Sequence, residues 1–113
     1  MKFIVLFREP DGRKEQHPQE AIKIHQENWK QWMHTLINNG TISGGSGLTL
    51  DGCMIEADGA TVHNTIHRNG DEIIGGFLLI SAQNLDEATA IMKSCPVFEF
   101  GGYAEIRVLQ NQQ

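Results

Sequence analysis

The chain has no block of basic charge, no apolar run of membrane-spanning length and no cysteine framework. Acidic residues number 14 against 9 lysines and arginines, for a formal charge of −5, and both signs are scattered along the sequence. Binding a phosphate backbone needs concentrated Lys/Arg charge, and neither a basic recognition stripe nor a helix-turn-helix signature is present, so no nucleic-acid partner is expected. The apolar start at residues 1–7 stops at Arg8-Glu9. It is too short to cross a bilayer and lacks a cleavage pattern, so it reads as a strand of a folded domain, with no membrane partner and a cytoplasmic location expected. The two cysteines, Cys53 and Cys95, form neither a disulfide framework nor a close-spaced metal motif, and no metal or cofactor is expected. Cys95, on a helical pattern just before Pro96, fits a small buried thiol; Cys53 lies among turn residues.

What is present fits one domain over residues 1–113, with a flexible tail expected at 110–113. Residues 3–7 predict a strand, and Glu9-Pro10-Asp11-Gly12 a turn opening a connection that could form a rim or lid. A long helix is expected over 18–39, with Pro18 in its first turn and Asn39-Gly40 at its stop. Its apolar face centres on Ile22, Trp29, Met33 and Leu36, with His25 and Trp32 at one margin and Ile37 at the other. The sequence TISGGSGLTL reads as a strand-to-turn passage of close backbone approach rather than a phosphate cradle, because the Walker pattern and its lysine are missing. Short strands are expected at 48–50 and 60–67, and a longer one at 73–82. A second helix over 85–95 takes Asn84 as cap with Glu87 three residues on, and Leu85, Ala88, Ile91, Met92 and Cys95 form its stripe. The last strand is expected at 103–109.

This order predicts an α+β ferredoxin-like sandwich, four antiparallel strands with both helices on one face. Residues 77–80, Phe-Leu-Leu-Ile, cannot all point at the helices. The opposite sheet face therefore calls for a partner, and a second copy of the chain is the expected one.

Residues 75–109, GGFLLISAQNLDEATAIMKSCPVFEFGGYAEIRVL, resemble the YCII-related, DGPF-containing family in the GGF strand, the LDEA helix start, the terminal CP and the closing strand. The earlier WKQWMHTLINNG at 29–40 and GGSGL at 44–48 are similar to that family's tryptophan-containing helix and glycine-rich exit, so the resemblance runs from about Ala21 to Leu109. It implies a homodimer in which two ferredoxin-like domains join through their sheets as a dimeric α/β barrel. The DGPF signature is absent and its connection is shortened around 68–72. Where the resemblance would put an acid/base His-Asp pair, this chain has Trp29 and Asn38. That chemistry does not carry over.

The residues themselves point to a homodimer enclosing a small organic ligand between sheet and helix. Action on that metabolite is left open beside a noncatalytic structural or regulatory homodimer. His63 and His67 are the candidate acid/base groups. Arg8, His25, Trp32, Glu105 and Arg107 are the candidate ligand contacts, Arg107 for an anionic oxygen and Trp32 for stacking. Glu105 and Arg107 share one face of the last strand and also suit an inter-strand or subunit salt bridge.

Overall fold

The computed structural model describes residues 1–12 and 16–111. Strand β1 (Lys2–Pro10) leads to α1 (Gln19–Asn38) and β2 (Ile42–Gly47). A two-residue pair, β3 (Met54–Ile55) and β4 (Val62–His63), interrupts the path to β5 (Glu72–Ser81). Helix α2 (Leu85–Met92), a 3₁₀ turn (Pro96–Phe100) and β6 (Tyr103–Val108) complete the fold. The main sheet runs β2-β5-β1-β6 with every pair antiparallel, the ferredoxin-like order that the sequence predicts. Residues 13–15, within the expected rim connection, and 112–113 of the expected tail lie outside the described residues.

Alternation on the two central strands sets the core. Phe3, Val5 and Phe7 of β1 and Leu78 and Ile80 of β5 are buried on one face, together with Ala88, Met92, Cys95 and Val97 from the α2 side. Trp29, Trp32, Met33 and Leu36 pack onto this cluster from α1. Burial pushes the Cys95 thiol up to about 12, consistent with an inert packing role. Cys53 is exposed. The Asn84 side chain caps α2 by accepting the Glu87 N–H at 2.8 Å.

Several boundaries differ from expectation, each for a local reason. The first strand continues through Pro10 because Arg8, Glu9 and Pro10 still pair with β5. Edge strand β2 occupies the glycine-rich segment itself rather than 48–50, since Gly44 through Gly47 pair with residues 76–79. Gly45 has φ +145°, and a Cβ there would lie 2.4 Å from the Phe77 carbonyl oxygen, so the close approach is real. The strand expected at 60–67 shrinks to Val62–His63: it lies outside the main sheet as an arm and, among the described residues, pairs with the Met54–Ile55 strand alone. Pro96 does not simply stop α2; it opens the 3₁₀ turn three residues beyond Lys93. On α1 the margin residue His25 is the most buried at 3% exposure, while Ile37 is exposed.

Candidate functional site

A cleft of about 360 Å³ lies between α1 and the β2–β5–β1 part of the sheet. Its walls are Phe7 of β1, Trp29 and Met33 of α1 and Leu78 of β5, and its floor is main chain where Gly45, Gly47, Gly75 and Gly76 lack side chains. Glycines on two adjacent strands let α1 stand off the sheet without a side chain filling the gap. Phe7 and Trp29 meet edge to face with ring centroids 5.3 Å apart, which fixes the apolar wall. Glu9, His25, Gln26 and Ser46 are the polar side chains among its lining.

His25 is held on every side. The Trp29 indole Nε1–H, which can only donate, points at His25 Nε2 at 3.0 Å. The proton therefore sits on Nδ1, which donates to Glu99 Oε1 at 2.8 Å. Asn28 Nδ2 donates to the other oxygen of Glu99 at 2.9 Å. Phe100 stacks on the imidazole at 4.1 Å, and its own ring lies 3.9 Å from the ring of His17. Both nitrogens of His25 are thus engaged, and proton exchange with a ligand at Nε2 requires Trp29 to turn away. In this arrangement the Trp29–His25–Glu99 chain clamps the cleft wall to the 3₁₀ turn.

The other expected site residues are dispersed. His63 is exposed on the arm, 3.0 Å from Glu56, and lines neither described cavity. His67 is exposed too and borders a second cavity of about 470 Å³ on the other side of the sheet, with Arg8, Asp51 and Glu72 among its lining residues. Alternation along a strand over 60–67 would put both histidines on one face, but the strand there is only Val62–His63, and His67 lies outside it. Arg8 Nε donates to Glu105 Oε1 at 2.9 Å, which makes the inter-strand salt bridge with Arg8 rather than Arg107 the partner of Glu105. That hydrogen bond chiefly raises the Arg8 guanidinium above its ordinary value. Next to it, Tyr103 donates to Glu72 Oε1 at 2.6 Å, and this bond raises the phenol. Arg107 is exposed on β6. Trp32 turns from the cleft and donates to Ser94 Oγ at 3.0 Å. Asn38, in the place of the acidic partner, is bonded to His34 at 2.9 Å.

The structure adds Glu9, Trp29 and Glu99 to the site. The i,i+4 spacing of His25 and Trp29 was a usable signal for their contact. Glu9 lies two residues beyond Phe7 and so shares its strand face, which alternation shows once the strand is extended. Glu99 had no sequence signal, being brought from 74 residues away.

Among the described residues no group of three or more His, Cys, Asp or Glu side chains could hold a metal, and no helix is long and apolar enough to cross a membrane. A search of curated protein sequences finds no significant match. Among solved structures, the 5-chloro-2-hydroxyhydroquinone dehydrochlorinase from Burkholderia phenoliruptrix AC1100, in complex with 2,5-dihydroxybenzoquinone, is similar over 99% of this chain and 96% of that one. Its TM-score is 0.56 at 16% identity, a likeness of fold. The model of the YCII-related domain matches residues 1–112, and the chain belongs to the YCII-related family.

Proposed function

We propose that this protein binds a small planar organic molecule in the cleft beneath α1, and that it does so as a homodimer joined through the outer sheet face. The observation that carries the ligand reading is the cleft itself: a glycine-floored slot, walled by Phe7, Trp29 and Met33, with Glu9, His25, Gln26 and Ser46 as its few polar lining residues. A flat ring fits between main chain and indole. The similar dehydrochlorinase was solved with a six-membered ring compound of this shape, which supports dihydroxybenzenes as first ligands to try. Enzymatic action on such a ring is the natural extension, with proton transfer through His25 once Trp29 releases Nε2 and with Glu99 steadying the imidazolium.

Two observations support the dimer. Ile4, Leu6, Phe77 and Leu79 form a half-buried apolar strip on the sheet face that carries no helix. The chain also exposes 7580 Å², some 1,400 Å² more than the ~6,200 Å² expected of a compact monomer of 12.6 kDa. A standard interface covers about 800 Å² on each partner. In such a dimer the Arg8–Glu105 pair and Tyr103 would border the contact.

Tryptophan fluorescence titrated with resorcinol tests the ligand reading, because Trp29 lines the cleft. Saturable quenching is expected in the wild type and not in Gly47→Leu. Gly47 pairs with the buried Gly76 on the cleft side, and an added Cβ there has its nearest atom, the Gly75 carbonyl oxygen, at 4.0 Å. The new side chain therefore fills the cleft without straining the sheet. Equal quenching in the folded variant would reject the site.

A further inference from the structure

We infer that the cleft holds its ligand as a phenolate: an acidic ring hydroxyl gives its proton to His25, and the Trp29 indole N–H holds the oxygen anion that results. This deepens the ligand-binding reading above and rests on it. The substrate class it names is a ring with an ionisable hydroxyl.

Donors and acceptors around His25 fix the direction of the proton. The Nδ1 proton is committed to Glu99 Oε1 at 2.8 Å, and Nε2, which accepts the Trp29 indole N–H at 3.0 Å, is the nitrogen left to take another. Phe100 covers one face of the imidazole, the residue is 3% exposed, and both His25 and Trp29 line the cleft. A ligand oxygen therefore reaches Nε2 by entering between it and the indole. A hydroxyl there donates to Nε2 and accepts from Nε1–H, so it replaces the bond it breaks with two. A carbonyl or ether oxygen can only accept, and leaves Nε2 facing a lone pair.

Transfer of the proton strengthens this arrangement. The ligand O–H bond breaks, its electron pair stays on oxygen, and the proton forms an N–H bond at Nε2. The oxygen anion then accepts from the imidazolium Nε2–H and the indole Nε1–H, two donors set where the charge develops. The imidazolium keeps its bond to Glu99, whose other oxygen accepts from Asn28 Nδ2 at 2.9 Å, and the total charge of the cleft does not change. Glu9 lines the cleft from β1 and has an interaction of its own, and His17 lies beyond Phe100; neither gains nor loses a proton in this step. A phenyl ring at position 29 would wall the cleft as well as the indole does, but it has no N–H to offer the anion.

The deciding experiment titrates 4-nitrophenol, which turns yellow on ionising, with the purified protein at a pH where it is mostly un-ionised in water. Calorimetry reads whether it binds, and the phenolate absorbance reads in which form. Bound nitrophenol is expected to be ionised at least about tenfold more than free nitrophenol, the size of one hydrogen bond to a charged group. Trp29→Phe, which keeps an aromatic wall, and His25→Gln, which cannot take the proton, should each bring that ratio to within about threefold of the free compound, with circular dichroism verifying the fold. Glu99→Gln tests the same transfer at a side chain that is 41% exposed, outside the core, and is expected to lower the ratio about threefold. Nitrophenol bound with its neutral spectrum, or not bound by a protein that resorcinol quenches, overturns the inference and leaves the cleft standing. A phenolate band unchanged in folded Trp29→Phe or in Glu99→Gln does the same. Binding of neither compound by the wild type overturns the cleft reading and this inference together.

Discussion

The two faces of the same sheet are nearly equal in composition and unequal in cover. On β1, Phe3, Val5 and Phe7 face the helices and are at most 5% exposed, while Ile4 and Leu6, between them in sequence, are only half-buried. On β5, Leu78 and Ile80 repeat the first pattern and Phe77 and Leu79 the second. Hydrophobic residues lie on both faces, and the helices decide which one the chain dries by itself. The molecule is accordingly a slab of 43 × 43 × 20 Å, one sheet with one helical layer. The site follows the same division. Where α1 leaves the glycine floor uncovered, the helix-facing side opens into the cleft, whereas the opposite face offers an apolar strip and an ion-paired border.

Substitution should separate the faces most sharply in stability. Phe3→Ala removes a fully buried ring and is expected to cost about 3–5 kcal/mol in urea denaturation. Leu6→Ala should cost only ~1 kcal/mol in dilute protein and more at high concentration, because the proposed second copy would complete its burial. Similar, concentration-independent losses at both positions would erase the distinction. Next in size is the effect on assembly. Leu6→Lys or Leu79→Lys puts a charge on the outer strip and is expected to yield a folded 12.6 kDa monomer by light scattering where the wild type has the dimer mass. A monomeric wild type would remove the covered-face argument.

Chemical access gives a finer comparison. Cys95, buried on the helix side, should resist a thiol reagent at pH 8 while exposed Cys53 reacts, so one thiol is counted in the native protein and two in urea. Because burial raises the Cys95 thiol to about 12, the stability linked to it is undiminished below the ordinary thiol value and is lost as pH rises toward that figure. The smallest effect is expected in the arm. Asp58 accepts bonds from Thr61 Oγ1 at 2.6 Å, Thr61 N at 2.9 Å and Ala60 N at 2.8 Å, and the Thr61 hydroxyl leads in lowering its carboxyl to about 2. Its contribution to the turn is therefore fully present above the ordinary carboxylate range and disappears as pH falls through about 2. The Thr61 amide resonance should titrate with that midpoint, and loss of the shift nearer pH 4 would show the turn to be unheld.

Periodicity and capping made most of the scaffold legible. The Asn84 cap, the Phe-Leu-Leu-Ile run of β5 and the alternation of β1 are local signals, and each reports a backbone geometry independent of distant residues. Residues 60–67 misled because alternating Thr, Val, His and Ile satisfy a strand pattern whether or not a neighbouring strand is available to pair. Once that strand failed, His63 and His67 had no sheet to share with Glu105 and Arg107.

The sequence by itself determined the order of the elements, the antiparallel α+β class, the burial of Cys95 and the close backbone approach at the glycine-rich edge. These depend on backbone preferences and on the period of apolar residues. Only the tertiary structure decided which polar groups meet. It set Glu99 against His25 across 74 residues, turned Trp29 from a packing residue into the donor that closes Nε2, and used a bulge to lay Glu9 over Gly75. Such contacts arise from register and helix placement, which no single stretch of chain encodes.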